Sequence, residues 1–256
     1  MQLSTREIQR YSRQIILRSI GAEGQFKLKN ARILVTGLGG LGAPASMYLA
    51  GAGIGMLDLM DHDKVHRSNL HRQPLYSESD IGSLKAECAA SRINGLNPDI
   101  TVGIIAKKAD FNSLDLLIPN YDVVLDCTDN IRTKFLINDK SIEHGIILCH
   151  AGALGFDAQV LSVKPGSSPC LRCVFGNTPD DGSLPDCSES GVLGAVVGLV
   201  GALIATEAVK IILGQGEPLF GRLLHIDALS MKFREINVKT SEGCNCKKKL
   251  NPIQTH

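Results

Sequence analysis

Short apolar runs stopped by glycine or a carboxylate alternate along this chain with stretches in which apolar residues recur every three or four positions. The run ARILVTG at residues 31–37 is β-branched and ends in a glycine cluster, which predicts a buried strand. LGAPASMYLAGAG follows with helical spacing and closing glycines, and GMLDLMD predicts a second strand ending at Asp61. The alternation continues with a helix over 83–96, a strand over 100–105, a helix over 111–118, a strand over 122–126, a helix over 134–144 and a strand over 146–149. Such a βαβ succession predicts an α/β fold with a doubly wound, Rossmann-like, mostly parallel sheet. Beyond residue 150 the rhythm changes to strands at 158–163, 222–227 and 231–238, which would extend the sheet with partly antiparallel strands.

Three segments stand outside that rhythm. Residues 1–20 lack the apolar centre of a secretory signal and predict a structural helix, with Ser4 and Glu7 as a capping box and Ile8, Tyr11, Ile15 and Ile16 on one face. Residues 62–82 are polar, irregular and long for a connector, so they predict a functional loop. Residues 191–214 are strongly apolar, but their uncharged part ends at Thr206, short of the roughly 20 residues that span a bilayer. A helix buried in protein is expected there, with Glu207 and Lys210 at its wetter end, and no membrane association.

Composition narrows the chemistry. With 256 residues, Lys+Arg 27 against Asp+Glu 26 and a net charge of +1, the chain has no sequence-wide field for a polyanion, which argues against a nucleic-acid partner. Eight cysteines without an export signal predict a reducing, cytoplasmic setting in which thiols serve metal or chemistry rather than disulfides. Cys88, Cys127 and Cys149 lie in apolar runs and read as small core residues.

GLGGLG, at the first strand-to-helix junction, fits a loop whose backbone N–H groups approach a phosphate, and Asp61 closes the second strand where an acid binds ribose hydroxyls. The motif does not separate NAD from ATP. Ser68, Asn69, Arg72 and Lys85 favour phosphate chemistry, because cutting between phosphates builds charge that cations stabilise. An NAD-dependent dehydrogenase would explain GLGGLG and Asp61, but not Arg72, Lys85 and Asp129 together. In DCTDN, Asp129 suits Mg²⁺ at a sheet edge, the alternative being that Asp126, Asp129 and Asn130 only cap the next helix. Cys170 and Cys173 form C-x-x-C; with Cys244 and Cys246 they supply four thiolates, enough for a tetrahedral structural Zn²⁺.

RYSRQI, GLGGLG, Asp61, SNLHRQ, Lys85, DCTDN, GVLGAVVG with ATEAVK and the closing cysteines together resemble the MoeB/ThiF family, bacterial relatives of ubiquitin-activating enzymes. The resemblance implies one adenylating domain over residues 1–256, with a helical arm at 1–30, a nucleotide-binding part at 31–150 and a part for carrier binding, zinc and dimerisation at 151–256. It implies ATP-dependent adenylation of the C-terminal Gly-Gly carboxylate of a ubiquitin-like sulfur carrier, MoaD-like or ThiS-like, in molybdopterin or thiamine biosynthesis. Other family chemistries are a tRNA-base dehydratase or a peptide adenylase. Carried over, Gly40, Asp61, Ser68, Asn69 and Asn130 hold the nucleotide, Arg72 and Lys85 the triphosphate, and Asp129 organises Mg²⁺. Arg13 would enter the active site of the other subunit of a homodimer. Cys187 matches a loop cysteine that takes part in sulfur or acyl transfer in some relatives, the alternative being a dispensable cysteine of the loop. The family has C-x-x-C in both halves, whereas here the second pair is C-x-C. No room for a rhodanese domain remains after residue 256, so a separate sulfur donor is expected.

Overall fold

The sheet is built outward from its apolar strands. In a computed structural model, residues 3–176 and 191–247 are described. Strands β1 (Arg32–Thr36), β2 (Met56–Met60), β3 (Thr101–Ile105), β4 (Val123–Asp126) and β5 (Ile147–Leu154) run parallel in the spatial order β3-β2-β1-β4-β5. Helices α4 (Gly42–Ala52), α5 (Lys85–Leu96), α6 (Phe111–Leu117) and α7 (Ile131–His144) make the crossovers between them. Past β5 only Gly155 and Phe156 intervene before β6 (Asp157–Val163), too short for a crossover, so the sheet continues antiparallel through β6, β7 (Arg222–Asp227) and β8 (Lys232–Asn237). This is the mixed sheet that the sequence predicts.

Alternation along β1 shows why both faces are covered. Ile33 and Val35 point into the layer that holds Leu49 of α4 and Ile93 of α5, while Leu34 points into the layer with Leu114 of α6 and Phe135 of α7. Strand order reverses between β1 and β4, and the crevice beyond the carboxyl ends of these strands is where open α/β sheets receive ligands.

Two expectations are corrected. The N-terminal helix is broken at Tyr11 into α1 (Thr5–Arg10) and α2 (Ser12–Ile15), followed by α3 (Gly21–Asn30). The Ser4–Glu7 capping box is present. Tyr11 is buried and accepts from Asn97 Nδ2 at 2.8 Å, but the break leaves Ile8 and Ile16 exposed, at 50% and 69%. The second correction is at Glu207. It belongs to α9 (Gly194–Leu213), which comes after the short α8 (Leu171–Phe175) and packs on α4, β5 and β6, and it is buried rather than at a wetter end. Its carboxylate accepts from Ser162 Oγ at 2.9 Å and from the Leu219 backbone N–H at 2.7 Å, and pairs with Lys210. α9 is apolar and 20 residues long, and about half of it is buried within the chain; Gly201 lets it lie against Pro44 of α4.

Candidate functional site

The glycine loop between β1 and α4 is shaped by contacts that exclude side chains. Gly37 sits at φ +83°, and a Cβ there would meet the Cys127 carbonyl at 2.9 Å; a Cβ on Gly42 would run into the Gly37 carbonyl. Gly40 lies under Val197 of α9, 2.8 Å from where its Cβ would stand. Gly39 faces the Gln73 amide alone, 3.6 Å away. Gly37 and Gly42 therefore close the turn, and Gly40 also serves helix packing.

Asp61, just past β2, is buried and clasps that loop. Its Oδ2 accepts from the Leu38 N–H at 2.7 Å and its Oδ1 from the Asp63 N–H at 2.8 Å. The polar segment after β2 folds back over the glycines: Tyr76 Oη donates to the Leu38 carbonyl at 2.9 Å, and Asn69 is buried with Oδ1 accepting from the His66 N–H at 3.0 Å. Ser68 is exposed, and its carbonyl accepts from Arg72 Nη1 at 2.8 Å. Lys85 opens α5 with its side chain 7% exposed and its Nζ 3.0 Å from Asp63 Oδ2. Burial works to raise the Asp63 carboxyl, but the Lys85 ammonium prevails and holds it below its ordinary value.

The third wall is the turn after β4. Asp129 is exposed, and its carboxylate makes no hydrogen bond or ion pair among the described residues. Asn130 caps α7, its Oδ1 accepting from the Thr133 N–H at 3.1 Å, so the capping role applies to Asn130 and leaves Asp129 free. Asp126 is fully buried. It accepts from Thr128 Oγ at 2.7 Å, from His150 Nδ1 at 2.7 Å, and from Lys134 Nζ at 3.4 Å.

Sequence reasoning passed over Lys134 and His150, and considered Gln73 and Asp126 only as members of their motifs. Gln73 stands in the SNLHRQ motif, is 2% exposed, turns its Nε2 toward Gly39 and has an Oε1 with no hydrogen-bond partner among the described residues. Asp126 and Lys134 form a buried ion pair under the DCTDN turn, with His150 hydrogen-bonded to the Asp126 carboxylate. Its signal was a histidine at the carboxyl end of the strand beside DCTDN, and a helix that starts at Ile131, early enough to include Lys134 in its first turns.

Away from this crevice, the four predicted cysteines converge despite their unequal spacing. Their sulfurs all lie within 4.8 Å of one another, with Cys170–Cys244 and Cys173–Cys246 at 3.6 Å and Cys170–Cys173 at 4.0 Å. Four sulfurs at Zn–S of about 2.3 Å in a tetrahedron stand roughly 3.8 Å apart, so the C-x-C pair fits such a centre. Burial opposes ionisation of Cys173, but backbone N–H groups from Cys170 and Ser241 outweigh it and bring the thiol down to about 7. Cys127 and Cys149 are buried, and burial pushes the Cys149 thiol up to about 12; Cys88 is half-buried. Arg13 is exposed on α2, and Cys187 lies outside the described residues.

Residues 11–248 match the model of the ThiF family. The chain belongs to the ThiF family. It is 43% identical over 244 residues to the SAMP-activating enzyme E1 of Haloferax volcanii, covering 95% of this chain and 90% of that one. It is 46% identical over 246 residues to the adenylyltransferase and sulfurtransferase MOCS3 of Drosophila grimshawi, where it spans 54% of the relative's length. Among solved structures, E. coli MccB with MccA-N7isoASN superposes with a TM-score of 0.83 at 28% identity, over 93% of this chain and 75% of that one. MccB with ATP gives a TM-score of 0.82. The ThiF-family chain is an E1-like adenylyltransferase that forms acyl adenylates.

Proposed function

We propose that this ThiF-family enzyme uses MgATP to adenylate the C-terminal glycine of a ubiquitin-like sulfur carrier ending in Gly-Gly, MoaD-like or ThiS-like, for molybdopterin or thiamine synthesis. What supports the reading is the glycine loop beside the DCTDN turn, clasped by Asp61 and covered by the segment that carries Ser68, Asn69 and Arg72, with the buried Lys85 opening α5 and an exposed Asp129 that makes no hydrogen bond or ion pair among the described residues. Gly40, Asp61, Ser68, Asn69 and Asn130 hold the nucleotide, Asp61 at the ribose. The carrier carboxylate, ionised at neutral pH, attacks the α-phosphorus; the bond to the β-phosphate oxygen breaks and pyrophosphate leaves. Arg72 and Lys85 neutralise the charge that grows on the phosphates. Asp129 would hold Mg²⁺, which would add to that neutralisation when bound.

The enzyme works in the cytoplasm as a homodimer. Arg13, beside the exposed Ile16 and Leu17, reaches the partner subunit's phosphates, and residues 151–256 receive the carrier. Cys170, Cys173, Cys244 and Cys246 would hold a structural zinc ion, which would fasten the C-terminal segment to the sheet. Sulfide-level sulfur from a separate protein attacks the acyl carbon of the adenylate, the bond to the AMP oxygen breaks and AMP leaves, and Cys187 takes part in that transfer. ATP–pyrophosphate exchange against a panel of carriers tests the reading. Exchange that depends on a Gly-Gly carboxylate supports it. Exchange driven by a short peptide or by tRNA, with none from carriers, refutes it.

A further inference from the structure

His150 is the last residue of β5 that pairs with β4, in register with Asp126, at the end of the parallel sheet where Asp129 follows β4. Its two ring nitrogens are in very different situations. Nδ1 lies 2.7 Å from Asp126 Oδ2, and that carboxylate is fully buried and also bound by Lys134 Nζ and Thr128. An ionised carboxylate can only accept, so Nδ1 carries the proton and donates it. Nε2 is then a bare lone pair. It is buried, and it has no hydrogen-bond partner among the described residues. Burial, with Lys134 nearby, lowers the affinity of the ring for a second proton, so the imidazole stays neutral and Nε2 stays an acceptor. A buried acceptor without a donor is costly, and buried polar atoms of this kind are ordinarily satisfied by a ligand or an ordered water.

The surroundings define which donor fits. After His150 the strand runs through Ala151, Gly152 and Ala153, so it presents little side-chain bulk beside the histidine. The Phe175 ring stands edge-on to the imidazole, centroids 6.4 Å apart, and gives an apolar flank. A thin segment with a backbone N–H matches this setting better than a bulky or charged side chain. A chain terminus of two glycines is such a segment, and its reacting carboxylate must come to the edge where Asp129 stands.

Resting on the adenylation reading above, we infer that His150 is a specificity-determining residue whose Nε2 accepts a hydrogen bond from the backbone N–H of the carrier's terminal glycine. Asp126 positions it by fixing the tautomer, and Lys134 positions Asp126. The contact holds the glycine carboxylate against the nucleotide and rejects a terminal residue that lacks an N–H.

The test is a double-mutant cycle between enzyme and carrier. The probe is the Gly-Gly carrier most active in pyrophosphate exchange, made by chemical ligation with either glycine or N-methylglycine at its terminus. The wild-type enzyme should prefer the glycine form by about tenfold or more in kcat/KM. His150→Phe keeps the ring volume and removes the acceptor, so the preference should collapse toward unity, through a raised KM for the glycine carrier and little change in KM for ATP. His150→Asn keeps an amide N–H toward Asp126 without an acceptor in place of Nε2, and should behave alike if the Phe variant does not fold. An unchanged preference in the variants, or no preference in the wild type, overturns the inference while leaving adenylation standing. Absence of exchange with every carrier in the wild type overturns both. An ordered water on Nε2 that persists in a carrier complex would also overturn it.

Discussion

Replacing Lys134 by Met should unfold this enzyme more readily, and do so in a pH-dependent way. Lys134 Nζ stands 3.4 Å from Asp126 Oδ2 and 2.8 Å from the Ala151 carbonyl, and both charged side chains are sealed from water, at 8% and 0% exposure. Methionine keeps the length and removes the charge. Removing one partner of a buried pair leaves the other carboxylate uncompensated, which costs about 3–5 kcal/mol. For a chain of this size each kcal/mol lowers Tm by roughly 2–4 °C, so a fall of about 6–20 °C is expected at neutral pH. The sign with pH follows from Asp126. In the wild type burial works to raise its carboxyl, but Lys134, His150 and Thr128 outweigh burial and hold it well below the usual carboxylate range. That contribution is present above the unfolded value of about 3.9 and is lost only as pH falls through the depressed folded value. Without Lys134 burial gains the upper hand and the carboxyl moves upward, so the penalty is greatest at neutral pH and shrinks as Asp126 protonates. Urea unfolding at pH 7.5 and 4.5 should show the gap between variant and wild type narrowing at the lower pH. Adding Asp126→Asn to the variant should recover stability at pH 7.5. A gap below about 1 kcal/mol, or one that does not change with pH, would refute the account of a charged pair sealed under the turn.

Asp129→Ala should abolish Mg²⁺-dependent pyrophosphate exchange with Tm unchanged, since an exposed carboxylate is removed without opening a cavity; exchange at the wild-type rate under limiting Mg²⁺ would sink that role. Purified protein should contain about one zinc per chain, and Cys246→Ala should lose metal and several degrees of Tm together, read by metal analysis and calorimetry. Arg13→Ala and Arg72→Ala proteins, each inactive, should recover activity on mixing if the two arginines act in one site from different subunits. Proven subunit exchange without recovery would confine Arg13 to its own chain or remove it from catalysis.

The parallel half of the sheet was legible because each strand is an apolar run with a clear stop, and the glycine loop because Gly37 and Gly42 leave a pattern no side chain can replace. The acid at Asp61 and the free Asp129 were legible as carboxylates at strand ends. Burial of ionic groups was not. Glu207 and Lys134 look like helix surface charges in sequence, and only the packing of α9 and α7 against the sheet turns them inward. The exposed Ile8 and Ile16 mislead in the opposite sense, since helical spacing predicts a shared face but not the break at Tyr11 that turns it outward. The cysteine spacing was legible as a count of ligands, while their convergence depends on a C-terminal segment that returns across the sheet to Cys170 and Cys173.

The place of α9 in the chain bears on how the protein is made. A 20-residue helix as apolar as this one is hazardous to a nascent polypeptide, because it can bind other exposed apolar surfaces before it finds its own. Here the elements it packs against most, α4, β5 and β6, precede it and have left the ribosome before Gly194 emerges. The groove for the most apolar segment is thus synthesised first, and the helix can be buried on emergence.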